Sequence, residues 1–266
     1  MTDSLMNDQT LLRYSRHVFL DQVDVAGQQA WLNARVAVVG VGGLGSIAAL
    51  MLACAGVGEM VLIDPDVVEV SNLPRQIAYD EQDLGVAKVV AAARQIRAKQ
   101  AATTVHAWQA SFADIEQQLS LSLPHLLLDC TDQFRVRYQL NVFCRLHAIP
   151  LVFGAALGWQ GQYGVLDFAH QQRPCFHCLY PHLQQQQDSC SQSGVLASIP
   201  NVIGALQVTQ ALQLLLPRRV PVAPTLTVWN ALKNRWHTAS ITPDPDCLLC
   251  GHEVLNNEVA NNEADN

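Results

Sequence analysis

Two groups of residues in this chain could do chemistry: a glycine loop with acids and cations after it, and two pairs of cysteines. The loop is Gly40-Val41-Gly42-Gly43-Leu44-Gly45, a G-x-G-x-x-G directly after the β-branched run "RVAVV". Glycines at this spacing allow a tight turn and let backbone N–H groups approach a phosphate at a helix N-terminus. Asp64 follows Gly45 by 19 residues and suits the acid that takes ribose hydroxyls at the end of a second strand. The pattern predicts a bound nucleotide without choosing among NAD, FAD and ATP.

The residues after Asp64 lean away from hydride transfer. In "IDPDVVEVSNLPRQ", Asp66, Asn72, Arg75 and Gln76 come directly after the C-terminal edge of the sheet, where ligands bind in open α/β folds. Arg75 can fork onto phosphate oxygens. Lys88 opens an Ala- and Val-rich helix; a lone lysine there usually sits on a solvated face, but its company favours a phosphate. "DCTD" then ends a buried strand with Asp129 and Asp132 at the same edge. A carboxylate among cationic phosphate ligands makes sense if it holds Mg²⁺, which ATP needs and NAD does not.

The chain has eight cysteines. Cys175 and Cys178 in "PCFHC" and Cys247 and Cys250 in "PDCLLC" are separated by 68 residues. That spacing fits a closed, structural Cys₄ zinc site joining the C-terminus to the middle of the chain. A redox pair would instead open a helix of a thioredoxin-like unit, and neither pair sits there. His177 is an alternative ligand, expected to face solvent. Cys54, Cys130 and Cys144 lie in apolar runs and read as small core residues. Cys190, in the polar loop "QQQQDSCSQSGV", is either an accessible nucleophile or an ordinary loop cysteine.

The elements that must position these residues follow from periodicity. Residues 5–33 read as helical, with Leu11, Leu12, Tyr14, Val18 and Phe19 as an apolar stripe. "RVAVVG", "EMVLIDPD", "TTVHAWQ", "PHLLLDCTD" and "PLVFGAALG" read as strands. "GSIAALMLACAG", "GVAKVVAAARQIRAKQ" and "FRVRYQLNVFCRLHAI" read as helices. Strand alternating with helix predicts an α/β fold with a Rossmann-like, doubly wound, mostly parallel sheet. From about residue 155 the pattern changes to a hairpin in "GWQGQYGVLDF", a buried helix in "NVIGALQVTQALQLLL" and two strands in "TLTVWNALKNRWHTASI". This C-terminal part would combine antiparallel strands with a Cys₄ zinc knuckle. The expected division is one unit over 1–253, with a nucleotide-binding half at about 34–154 and a partner-binding and zinc half at about 155–253. The polar residues 254–266 read as a disordered tail.

Composition sets outer bounds. The chain has 266 residues, half of them hydrophobic, and a formal charge of −7. It offers no electrostatic case for nucleic acid, no apolar run of membrane-spanning length and no signal-peptide pattern. The expected location is cytoplasmic.

Taken in order, "LLRYSRH", "GVGGLG", "AGVG", "IDPD", "SNLPRQ", Lys88, "LDCTD", "CFHCLYP", "SCSQSGV", "NVIGALQ" and "CLLC" resemble the ThiF/MoeB/HesA family from about Leu11 to Gly251. Its members are bacterial enzymes of the ubiquitin-activating type that adenylate the C-terminal glycine of ubiquitin-like sulfur carriers. The resemblance implies an adenylyltransferase acting on a carrier ending in Gly-Gly, with ATP, Mg²⁺ and Zn²⁺, and with a cysteine desulfurase or another sulfur donor. It implies that the loop of Gly40, Gly42, Gly43 and Gly45 lies against ATP, with Asp64 on the ribose. Asn72, Arg75 and Lys88 would hold the triphosphate, Asp66, Gln76 and Gln133 would line the site, and Asp132 would coordinate Mg²⁺. Arg16 would reach into the ATP site of a neighbouring subunit, giving a homodimer, and Cys190 would take part in sulfur transfer. "CLYP" and the Tyr-Ser pair in "LLRYSRH" lean towards a ThiS-like carrier and thiamine; a MoaD-type carrier and molybdopterin is the alternative. Two departures are Gln133 for the family's usual Asn and Pro74 for its usual Gln; Pro74 is expected to push Leu73 into an extended conformation. An NAD-dependent oxidoreductase leaves Arg75, Lys88 and Asp132 unexplained, and a zinc-stapled protein using nucleotide only for folding leaves the charged set without a role.

Overall fold

The computed structural model describes residues 6–170, 174–181, 194–219 and 221–251. Cys190 and the tail 254–266 lie outside them. The amino-terminal segment is three helices, α1 (Asp8–Arg13), α2 (Ser15–Val18) and α3 (Asp24–Asn33), where the apolar stripe predicts one. Tyr14 and residues 19–23 break it. Tyr14 is drawn inward to 4% exposure, leaving Leu12 and Phe19 outside at 77% and 74%.

The core alternates as expected: β1 (Arg35–Val39), α4 (Gly45–Ala55), β2 (Glu59–Ile63), α5 (Lys88–Lys99), β3 (Thr104–Trp108), α6 (Phe112–Ser120), β4 (Leu126–Asp129), α7 (Phe134–Leu146) and β5 (Leu151–Leu157). Then come β6 (Gln160–Leu166), the short α8 (Phe176–Leu179), α9 (Ser198–Leu214), β7 (Thr225–Asn230) and β8 (Arg235–Ser240). The eight strands form one sheet in the order β3-β2-β1-β4-β5-β6-β7-β8. The first five pair in parallel and the rest antiparallel. Strands buried on both faces, such as "RVAVV", need helices above and below. Alternate strand residues accordingly point into two cores. Val36, Val38, Met60 and Leu62 pack under α4, α5 and α9. Ala37, Val39, Val61 and Ile63 pack under α6, α7 and the cysteine cluster.

Two local features escaped the sequence reading. α6 begins with a capping box in which Ser111 and Asp114 satisfy each other's backbone N–H, and it buries Phe112, Ile115 and Leu119. Leu73 is helical (φ −52°, ψ −38°) rather than extended, because the reciprocal Glu69–Asn72 cap holds a tight turn at Val70–Asn72 that outweighs the restriction from Pro74.

Candidate functional site

The strand order reverses between β1 and β4, and the residues of interest leave the sheet at that crevice. Register puts Ile63, Val39, Asp129 and Phe153 in one row across four parallel strands. The next residues, Asp64, Gly40, Cys130 and Gly154, therefore emerge side by side. Gly40 has φ +82°, and a Cβ there would lie 2.8 Å from the Cys130 carbonyl oxygen. A Cβ on Gly45 would stand 1.8 Å from the Gly40 carbonyl oxygen, so the turn closes only without one. No hydrogen bond among the described residues uses the N–H groups of Gly42, Gly43 and Leu44. Three free donors at the start of an 11-residue helix form an anion cradle.

Asp64 is 5% exposed. Its Oδ2 accepts from Val41 N–H at 2.6 Å and its Oδ1 from Asp66 N–H at 2.9 Å. It thus braces the glycine loop and keeps spare lone pairs for hydroxyls. Burial pushes its carboxyl upward, against the charge of Lys88 and those two backbone bonds. The following loop doubles back through Val68 N–H to Val86 O at 2.9 Å and Lys88 N–H to Asp66 O at 3.0 Å. That return brings Lys88 to the site, where its Nζ lies 2.7 Å from Asp66 Oδ2. Lys88 is 7% exposed, not on a solvated face. Tyr79, unnoticed in the sequence, sets its hydroxyl 2.6 Å from Val41 O and 3.2 Å from Lys88 O, joining loop to helix. Burial, then Asp64 and Asp83, push its phenol far up, so it stays a donor.

Arg75 is half-buried; its Nη1 donates to Ser71 O at 2.6 Å, and its carbonyl accepts from Asn201 Nδ2 at 3.0 Å. Asn72 is buried and committed to its turn, accepting from Glu69 N–H at 3.1 Å. Gln76 is 3% exposed, its Nε2 lies beside Gly42, and its Oε1 has no partner. Asp132 and Gln133 are exposed, Gln133 as the cap of α7. The side chain of Asp132 makes no hydrogen bond or ion pair among the described residues, so its carboxylate is open to a cation. Asp129 is not: at 1% exposure it faces Arg137 Nη1 at 3.3 Å and accepts from Thr131 N–H and Oγ at 2.9 and 2.7 Å. Burial pushes its carboxyl up, opposed by Arg137 and the Thr131 bonds. It is an internal brace, which removes it from the expected pair of edge acids.

Gln207, from α9, is fully buried and donates to Asp129 O at 2.9 Å and Val152 O at 3.3 Å, stitching the ends of β4 and β5. Its only sequence signal was a polar residue inside an apolar helix. Arg16 is exposed on α2, next to Tyr14, whose hydroxyl accepts from Gln100 at the end of α5 and whose ring abuts Gly56 at the end of α4. α4 runs about 16 Å back from the glycine loop at 1.5 Å per residue, so a single chain leaves Arg16 at the opposite edge.

Cys175, Cys178, Cys247 and Cys250 converge, with all four sulfurs within 4.8 Å of one another. Separations of 3.9, 3.6 and 3.3 Å between neighbours are close to the ~3.8 Å edge of a tetrahedron with Zn–S bonds of ~2.3 Å. His177 is buried, not solvent-facing, with its ring 5.2 Å from that of Tyr138. Cys130 and Cys144 are core residues whose thiols burial pushes up; Cys54, read as core, is exposed on α4.

Fold and site together define a Rossmann-type nucleotide-binding protein with a four-thiol staple. The chain belongs to the ThiF family, whose model matches residues 14–249. It is 36% identical to the molybdopterin-synthase adenylyltransferase of Salmonella typhimurium, over 92% of this chain and 98% of that one. It is 33% identical to the sulfur carrier protein ThiS adenylyltransferase of Escherichia coli, over 92% and 97%. Among solved structures, Escherichia coli MccB with ATP superimposes with a TM-score of 0.77 at 22% identity, covering 94% of this chain and 76% of that one, a likeness of fold.

Proposed function

We propose that this chain is a nucleotidyltransferase that adenylates the C-terminal glycine of a ubiquitin-like sulfur carrier. The observation that carries the reading is the row of unused N–H donors at Gly42, Gly43 and Leu44, facing an edge that also holds Asp64, Lys88, Arg75 and an open Asp132. The carrier's terminal carboxylate attacks the α-phosphorus of ATP, the bond to the β-phosphate bridging oxygen breaks, and pyrophosphate leaves with that electron pair. A carboxylate is already an anion at neutral pH, so no general base is required. Asp64 takes the ribose hydroxyls, with Asp66, Asn72, Gln76 and Gln133 lining the pocket. Arg75 and Lys88 orient the phosphates, Lys88 exchanging its Asp66 partner for them. Asp132 would hold Mg²⁺, which neutralises charge on the phosphates when bound. The four thiols would hold Zn²⁺ structurally, with residues 1–253 as one adenylating unit. Arg16, at the far edge of its own chain, serves a partner's site in a homodimer. Cys190 would act after adenylation, in sulfur transfer from a cysteine desulfurase or another donor.

For the carrier we favour a ThiS-like protein of thiamine synthesis in the cytoplasm, on "CLYP" and the Tyr14-Ser15 pair. A MoaD-type carrier is the second reading, favoured by the 36% identity to a molybdopterin-synthase adenylyltransferase. No described helix is long and apolar enough to cross a membrane. ATP–pyrophosphate exchange with each carrier, intact and lacking its last glycine, tests the proposal. Exchange that needs one intact carrier supports it and selects the pathway; no exchange with any ubiquitin-like carrier, alongside tight NAD binding, overturns it.

A further inference from the structure

Asp132 is exposed, yet the backbone that carries it is held from both sides. Thr131, immediately before it, has every polar group engaged. Its N–H and hydroxyl both donate to Asp129 Oδ1, and its carbonyl accepts from Arg137 Nη2. Gln133, immediately after it, caps α7, its carbonyl accepting the helix's own bond from the Arg137 backbone N–H at 3.2 Å. The same guanidinium donates to Gly154 O at 2.6 Å, on β5, and its Nη1 lies 3.3 Å from Asp129 Oδ2. Arg137 is 4% exposed and reaches out of α7 to do this. Its side chain therefore grips the peptide that leads into Asp132, and among the described residues it makes no hydrogen bond or ion pair with the Asp132 carboxylate itself. Beneath, Gln207 fixes the Asp129 carbonyl, and Gly40 admits Cys130 at close range.

We propose that Arg137 is a positioning residue that aims the Asp132 carboxylate and so sets the affinity of the nucleotide site for Mg²⁺. The inference rests on the reading of Asp132 given above. A guanidinium placed only to neutralise Asp129 would have no need of the Thr131 and Gly154 carbonyls. Here it directs its donors to the residues that leave β4 and to the neighbouring strand β5. Lysine keeps the charge but loses the planar fork, so it can serve Asp129 or the carbonyls and not all three.

The test is calorimetric titration of ATP into the full-length chain, with Mg²⁺ and separately with EDTA. The wild-type chain is expected to bind ATP more tightly with Mg²⁺, and Asp132→Asn is expected to remove that enhancement. Failure of either overturns the reading of Asp132 and is visible before Arg137 is touched. Arg137→Lys is expected to lose about tenfold of the Mg²⁺-dependent affinity, the usual scale for a group that orients a metal ligand, while binding in EDTA is retained. Arg137→Gln, whose shorter amide cannot bridge the Thr131 and Gly154 carbonyls, should lose affinity in the same direction and decides the matter if the lysine variant does not fold. The double variant Arg137→Lys/Asp132→Asn should be no worse than Asp132→Asn, because both act through one carboxylate. Full Mg²⁺ enhancement in folded Arg137→Lys or Arg137→Gln, or additive losses in the double variant, would overturn the proposal.

Discussion

In the proposed role Asp64 does two jobs with one carboxylate, and the hydrogen bonds show why an acid is needed rather than an amide. Both oxygens accept from backbone N–H groups, one of them at the entrance to the glycine loop. An asparagine offers one acceptor and turns an N–H₂ towards either Val41 or Asp66, where a donor would face a donor. A hydrogen bond to a charged group contributes about 1.5–3 kcal/mol. We therefore expect Asp64→Asn to weaken ATP binding by tenfold or more and to lower the unfolding midpoint; unaltered affinity in calorimetry would mean that the loop holds itself. Burial works in the opposite sense. The carboxyl is pushed up, so Asp64 favours the fold more when protonated, and that contribution is lost as pH rises through its folded value. The loop bonds and Lys88 limit that loss.

At the level of elements, the exit of β6 is tied to the end of α9 by Asp167 and Arg219, whose guanidinium engages both carboxylate oxygens, with His170 beside them. Burial alone would raise the Asp167 carboxyl, but the Arg219 bonds and charge outweigh it and hold it below the usual carboxylate range. Its contribution to stability is therefore complete above the ordinary carboxylate value of about 3.9 and is lost as pH falls through the lower folded value. Thermal melts on a descending pH series should show Asp167→Asn less stable than wild type at neutral pH, with the two curves converging in acid. Parallel curves would remove the pair from the acid transition. Elements of this kind are only partly legible in a sequence. β1, α4, β2 and β4 could be read because each is a buried run with a glycine or acid at its end, and α5 because it is an Ala-rich helix. The last two strands were equally plain, whereas "GWQGQYGVLDF", expected to be a hairpin, is the single strand β6, which folds back on β5. α6 was overlooked because its apolar stripe is three residues long, although "SFAD" carries its cap. The amino-terminal helix came out broken because its stripe is consumed unevenly: Tyr14 turns in to meet Gln100 while Leu12 and Phe19 stay outside. Residue type alone placed Asp64, Lys88 and the four cysteines together. It could not separate Asp129 from Asp132, three residues apart, because the difference lies in Arg137, on another element.

At the scale of the whole molecule, one tie joins sequence-distant parts of the chain and a second is proposed between chains. The first is the thiol cluster, which fastens residues 247 and 250 under α7 beside Phe176 and Tyr138. Cys247→Ser should abolish stoichiometric metal in the purified chain and lower its unfolding midpoint, whereas full zinc content in that variant would undo the assignment. The second tie is the one proposed between chains. Arg16 is exposed, two residues from Tyr14, whose ring packs at the end of α4 remote from the glycine loop, and Leu12 and Phe19 of the same segment are exposed too. If it serves a partner's site, then Arg16→Ala and Arg75→Ala each inactivate a homodimer by damaging opposite halves of a composite site. In a mixed dimer the intact Arg75 of one chain meets the intact Arg16 of the other, and both defects fall on the remaining site. Co-refolding the two inactive variants in equal amounts should then restore about a quarter of wild-type exchange, since half the dimers are mixed and each has one good site. An arginine acting within its own chain gives no recovery at any ratio.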